Sequence, residues 1–168
     1  MAEIVLQAVP LTRERFMPYG EVIEASTLQG SGMNDARFDR FDDLCDVEII
    51  DGQVSVSIAR SRTASVLPYR IDMVERHPLG SQAFVPLEPC KMIIVVAPPA
   101  ESVVAADLRA FETNGKQGIN YRRGTWHMPL IAFESGHRFL IIDRAGDGPN
   151  CDEHNFDESV MLQAPASR

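Results

Sequence analysis

Three polar residues in the stretch VERHPLGSQAF, Val74 to Phe84, stand at a spacing that suits chemistry: Glu75, His77 and Gln82. Glu75 and His77 are two apart, so on a strand both side chains leave the same face. Gln82 follows across the turn that Pro78, Leu79 and Gly80 predict. A fourth group, His127, sits in YRRGTWHMPL. Two imidazoles, one carboxylate and one amide can hold a divalent transition metal, though less tightly than three imidazoles would. Without an ion, the same groups form a hydrogen-bonding pocket in which histidine moves protons near neutral pH. A surface loop is the third reading, if the strand ends at Val74.

A second constellation is NGKQGINYRRGTWH, Asn114 to His127. Gly115 and Gly118 bracket a turn that presents Lys116 and Gln117. Strand alternation puts Tyr121, Arg123, Thr125 and His127 on one face, provided Gly124 makes no bulge. An arginine beside an interior histidine suits a carboxylate, because guanidinium and carboxylate pair as a bidentate fork. The competing reading is an exposed basic strand edge.

The elements that must position these groups are short strands. Eleven glycines and eleven prolines cut the chain into many pieces, as in a β-sandwich or small barrel. QVSVSIAR, Gln53 to Arg60, alternates Val54, Val56 and Ile58 with polar residues, the pattern of a half-buried strand. In YRIDMVERH, one parity carries Tyr69, Ile71, Met73, Glu75 and His77. If Ile71 and Met73 face a core, Glu75 and His77 point into the same interior. KMIIVVA reads as a strand covered on both faces, and HMPLIAFESGHRFLIID as two strands joined by a hairpin at ESGH. Helix is expected only at TRERF, capped by Thr12, and as a short piece in AADLRAFET.

Composition narrows the partners. With Lys+Arg 16 against Asp+Glu 24, the net charge of −8 argues against a nucleic-acid partner. It leaves room for a small anion held by local arginines. The amino terminus lacks the pattern of a signal peptide, and the longest apolar run, Met92 to Ala100, is too short to span a bilayer. Cys45, Cys90 and Cys151 are odd in number and form no CxxC pair, so they read as buried or tolerated thiols of a cytoplasmic protein. His137 and His154 have no evident partners and read as surface residues. The expectation is one domain over residues 1–168, with 163–168 as a loose tail.

With these residues in view, the chain resembles the ureidoglycolate lyases, formerly called ureidoglycolate hydrolases. LTRERFMPYGEVI, ERHPLGSQAFVPL, NGKQGINYRRGTWHMPL and FLIIDRAG…NC carry the resemblance over almost the whole length. It implies a mainly β, cupin-like double-stranded β-helix, a jelly-roll barrel with few short helices. It also implies a homodimer that cleaves ureidoglycolate to glyoxylate and urea in purine breakdown through allantoin, with a divalent metal, nickel in particular. Metal-binding cupins commonly carry His, His, Glu and His where this chain has Glu75, His77, Gln82 and His127, so the first and third positions depart from that set.

On such a substrate, His77 and His127 are the candidates for proton transfer. Glu75 would orient a histidine or bind the urea amide, and Gln82 would read the urea group. Arg123, helped by Lys116 and Tyr121, would hold the carboxylate. The residues also admit another cupin enzyme acting on a small hydroxy or keto acid. An ammonia-releasing amidohydrolase of the same substrate and a non-catalytic ligand-binding barrel are the remaining alternatives.

Overall fold

The structure is a computed structural model that describes residues 3–25 and 29–165. Strands dominate it. The amino-terminal half holds β1 (Ile4–Gln7), β2 (Val9–Pro10), β3 (Gly20–Ile23), β4 (Ser31–Met33), β5 (Phe38–Arg40) and the long β6 (Gln53–Arg60). Next come β7 (Tyr69–Arg70), β8 (Met73–Arg76), β9 (Gln82–Pro86), β10 (Ile93–Ala97) and β11 (Arg109–Glu112). The chain finishes with β12 (Gly118–Tyr121), β13 (Trp126–His127), β14 (Arg138–Ala145), β15 (Asp152–Asn155) and β16 (Val160–Gln163).

Among the described residues helix is confined to α1 (Arg13–Phe16) and one 3-10 turn at Ala105–Asp107. Thr12 caps α1 as expected, its hydroxyl accepting from the Arg15 amide. In AADLRAFET only the first residues turn, and the remainder becomes β11. No helix among the described residues is long and apolar enough to cross a membrane. Gln163, expected to open a loose tail, pairs with Gln7 at the end of β16, and residues 166–168 lie outside the described residues.

Three sheets are layered. The middle one runs β15-β8-β13-β10-β11-β2, a five-stranded sheet runs β3-β12-β9-β14-β6, and a small sheet runs β1-β16-β7. Successive residues of β10 serve different cores. Ile93, Val95 and Ala97 join Val160 and Leu162 of β16, while Ile94 and Val96 join Phe84 of β9 and Ile119 of β12. Both faces of the middle sheet are therefore covered, which is why KMIIVVA has no polar alternation.

Two strand expectations take a different form. The parity of YRIDMVERH breaks, because β7 belongs to the small sheet and β8 to the middle one. The chain changes sheets at Ile71–Asp72, leaving Ile71 and Val74 in the core beside the small sheet. Glu75, next to Val74 on β8, faces the opposite interior. The ESGH turn does hold its glycine at a positive φ of 91°. It is not a hairpin between neighbouring strands, because β14 pairs with β6 and β9.

The third departure concerns QVSVSIAR, which forms β6 over the expected residues. Its apolar face is outward: Val54, Val56 and Ile58 are 53%, 64% and 61% exposed. Strand periodicity fixes which residues share a face but not which face meets the core.

Candidate active site

β8 and β13 are antiparallel neighbours, and their register sets His127 directly opposite Glu75. Gln82 comes from the facing sheet, where it pairs with Tyr121. The corner between β12 and β13 brings these walls together. There the Thr125 amide bonds back to the Arg122 carbonyl at 3.0 Å, and Gly124 takes a φ of +80°. A side chain at that φ would be strained, so glycine suits the corner. Tyr121 and His127 thus belong to different sheets instead of one continuous strand, yet their rings stack with centroids 4.2 Å apart and planes 15° from parallel.

His127 is 1% exposed. Its Nδ1 lies 2.9 Å from the Thr125 carbonyl oxygen, which can only accept, so Nδ1 carries a proton and Nε2 is left to meet Glu75 through a second proton or a cation. Nε2 is buried without a hydrogen-bond partner and stands 3.4 Å from Glu75 Oε1. An orphaned imidazole nitrogen aimed at a carboxylate, with the opposite nitrogen fixed on a carbonyl, is the arrangement of a metal-ligating histidine.

His77 follows β8 in the loop. Its Nδ1 is 2.7 Å from the Asn150 carbonyl oxygen and its Nε2 is 3.2 Å from Gln82 Oε1. Gln82 is oriented by its Nε2, which donates to Asp143 Oδ2 at 3.2 Å. Two acceptor oxygens therefore face both nitrogens of His77. Its Nε2 and Gln82 Oε1 meet favourably only with a proton or a cation between them.

Glu75 ties the group together. Its Oε1 is also 3.8 Å from His77 Nε2, and its Oε2 accepts from the Cys151 thiol at 3.6 Å. Contact with His127 is the main cause holding the Glu75 carboxyl below its usual range. The charges of both imidazoles and the thiol bond add to it, against the opposing effect of burial. Burial first, and then the Glu75 charge, push the Cys151 thiol up to about 11. Glu75, His77 and His127 can each turn one ligand atom to within 4.8 Å of the others, and Glu75, Cys151 and Glu153 form a second such group. The first group, with Gln82 Oε1 beside it, fits a divalent cation: it offers two imidazole nitrogens, one ionised carboxylate and one amide oxygen.

The other expected residues divide. Arg123 sits in the corner turn at the edge of the site, 3.7 Å from Glu48 Oε2 and donating to the Pro78 carbonyl. Its neighbour Gly124 donates to the His77 carbonyl at 3.0 Å, so arginine and histidine loops are joined. Lys116 does not join the cluster. It lies in the turn between β11 and β12, five residues before Tyr121 and on the order of 15 Å along the strand direction from the site. His154 packs edge-on against Trp126 and Phe156, and His137 meets Cys90, so neither is a partnerless surface residue.

Sequence reasoning missed Asp143, which closes the apolar run of β14, and Asn150, whose side chain also accepts from the Leu79 amide at 2.7 Å. A polar residue ending an apolar strand was the available signal for Asp143. The role of Asn150 has no local signature, because its partners lie more than seventy positions away.

Fold and site together define a cupin-like β-sandwich with a histidine-carboxylate cluster between two sheets. The sequence pattern of the ureidoglycolate lyase family matches residues 3–163, and the chain belongs to that family. It is 44% identical over 158 residues to the ureidoglycolate lyase of Pseudomonas putida (strain W619), covering 94% of this chain and 95% of that one. It is also 44% identical over 167 residues to the ureidoglycolate lyase of Azotobacter vinelandii (strain DJ), covering 96% and 99%.

Proposed function

We propose that this protein is a ureidoglycolate lyase that releases glyoxylate and intact urea, acting through the cluster of Glu75, His77, Gln82 and His127. The observation that carries this reading is the meeting of both histidines on one ionised glutamate, in a chain of that family. Elimination removes the hydroxyl proton of the substrate and protonates the departing ureido nitrogen, so a group that both accepts and returns a proton is required.

His77 takes that role. Its ring lies nearer solvent than that of His127, and its Nε2 faces an amide oxygen across a gap that accommodates a proton. Asn150 fixes the ring through Nδ1. His127, sealed beneath Tyr121 with Nδ1 on the Thr125 carbonyl, presents Nε2 on the hydroxyl side of the site. Gln82, held by Asp143, presents its amide to the urea group, whose carbonyl and N–H groups it can both match. Arg123 leaves Glu48 to pair with the substrate carboxylate, which forms the better fork. Lys116 has no part in the site. A divalent cation held by His127, Glu75 and Gln82 would polarise the hydroxyl and carboxylate oxygens as a Lewis acid, leaving His77 Nε2 free for the proton.

The proposed assembly is a homodimer built on β6. That strand lies at the edge of its sheet, and its exposed Val54, Val56 and Ile58 continue across the register to Arg144, Ile142 and Leu140 of β14. An unpaired strand edge beside an apolar stripe suits a second copy related by two-fold symmetry.

The deciding experiment incubates metal-stripped protein with ureidoglycolate and assays glyoxylate, urea and ammonia, before and after adding nickel or manganese. Glyoxylate and urea in equal amounts are expected. Ammonia in place of urea, or no turnover in any state, would overturn the assignment.

A further inference from the structure

A second reactive cluster lies away from this site. Cys90 Sγ is 3.0 Å from His137 Nδ1, and His137 Nε2 is 3.4 Å from Glu134 Oε2. Cys90 Sγ also donates to the Lys91 carbonyl at 3.6 Å, and His137 Nδ1 is the basic atom within reach of the thiol proton, with the Glu134 carboxylate near enough to stabilise the imidazolium that forms. That is the arrangement of a base for a nucleophile, with a third group beside the base. The loop carrying both partners is pinned to Ser61. The Ser61 hydroxyl donates to the Glu134 carbonyl at 2.8 Å, the Ser61 amide donates to the His137 carbonyl at 2.9 Å, and the Gly136 amide donates to the Ser61 carbonyl at 2.9 Å.

Cys90, His137 and Glu134 open onto a cavity of about 420 Å³ whose apolar walls include Leu67, Ile93 and Phe133. Lys91 is neutralised by Glu112 at 2.9 Å and Arg138 by Glu88 at 2.7 Å, which leaves the charge of Glu134 dominant beside the thiol. Such a cavity disfavours anions and admits neutral or cationic molecules.

We propose that Cys90, His137 and Glu134 form a thiol-exchange site that accepts small neutral or cationic disulfides. Burial, followed by the charges of Glu134 and Glu88, holds the Cys90 thiol above its ordinary range, so it rests protonated and needs a base at the moment of attack. As the Cys90 sulfur bonds to one sulfur of the disulfide, its proton passes to His137 Nδ1 and the S–S bond of the disulfide breaks. The departing thiolate takes the proton from His137. The protein thiol ends as a mixed disulfide, and the other half of the disulfide leaves reduced as a free thiol. Cys90 precedes β10, whose far end carries the Val96 paired with His127, so this exchange stands or falls independently of the lyase assignment.

The test exposes the full-length protein to cystamine, a cationic disulfide, or to oxidised glutathione, an anionic one. Adducts at Cys45, Cys90 and Cys151 are followed by peptide mass spectrometry. Cystamine should modify Cys90 faster than oxidised glutathione does, and His137→Gln should slow that modification about tenfold or more while leaving Cys45 and Cys151 unchanged. Glu134→Gln, a change on an exposed side chain, should slow it by a smaller factor and covers the case in which His137→Gln does not fold. An unmodified Cys90, a preference for the anionic disulfide, or equal Cys90 rates in the wild type and whichever variant folds would overturn the proposal.

Discussion

Tyr121 lies flat on His127, and through that contact the five-stranded sheet controls the orientation of a histidine on the middle sheet. The stack covers the face of an imidazole whose edge is already fixed by the Thr125 carbonyl. Tyr121→Phe preserves the ring and should retain near-normal turnover. Tyr121→Ala should lose about 3 kcal/mol of stability, by the scale of large buried aromatic truncations. Its kcat should fall about 100-fold as His127 loses its alignment. Steady-state kinetics with thermal melting checks both; equal kcat in the two variants would show that the stack plays no positioning role.

The two histidines should separate when each is replaced by alanine. His77→Ala should lower kcat by about 100-fold to 10,000-fold and weaken cation binding less than His127→Ala does, because His127, Glu75 and Gln82 remain. His127→Ala should remove turnover and also weaken the binding of nickel or manganese, because it deletes the orphaned Nε2. Metal titration by calorimetry, run beside the activity assay, distinguishes these outcomes. Normal turnover in His127→Ala would remove it from the mechanism.

Glu75 gives a pH dependence of defined sign. Its carboxyl is held below the usual range in the folded protein, so its stabilising contribution is complete above the unfolded value of about 4.3. That contribution is lost as pH falls through the lowered folded value. In metal-stripped protein, Glu75→Gln should therefore melt below wild type at neutral pH, and the gap should close on acidification. Melting curves from pH 7 downward test this; a gap that widens toward acid would reverse the argument.

The exposed stripe on β6 makes its own prediction. Val56→Lys puts a charge in the centre of that face without touching either core. It should convert a dimer to monomers in sedimentation velocity while leaving the monomer folded. An unchanged sedimentation coefficient would place any interface elsewhere.

How much could be read from the sequence follows from the range of each contact. The Thr12 cap and the two-faced β10 are local features, and each stands where periodicity or turn chemistry puts it, whereas His77 lies in the loop just beyond β8. The parity through Ile71 and Met73 points to Glu75 and His77, which the structure does bring beside His127, but for an incomplete reason. It assumed one interior, whereas the middle sheet creates two and the chain changes sheets at Ile71–Asp72. Lys116 looked close to Tyr121 because both share a motif, but an extended strand carries them apart. The partnership of Cys90 with His137 spans forty-seven positions, so no local pattern announced it.

Gly20 shows how the rear of the site is built. It pairs opposite Tyr121, and a methyl group added there would run into the carbonyl oxygen of Asn120. Asn120 in turn donates to Glu21 Oε2 and to the Asp46 carbonyl, so one extended segment is fastened across the back of the five-stranded sheet. The Glu75 and His127 wall has a hydrophobic layer behind it, while among the described residues the segment holding Asp46, Glu48 and Ile50 is bonded along the Gln82 side. Natural or laboratory selection for a new leaving group would thus find its freedom on the glutamine side. The histidine side would persist as the inherited anvil on which different substrates are shaped.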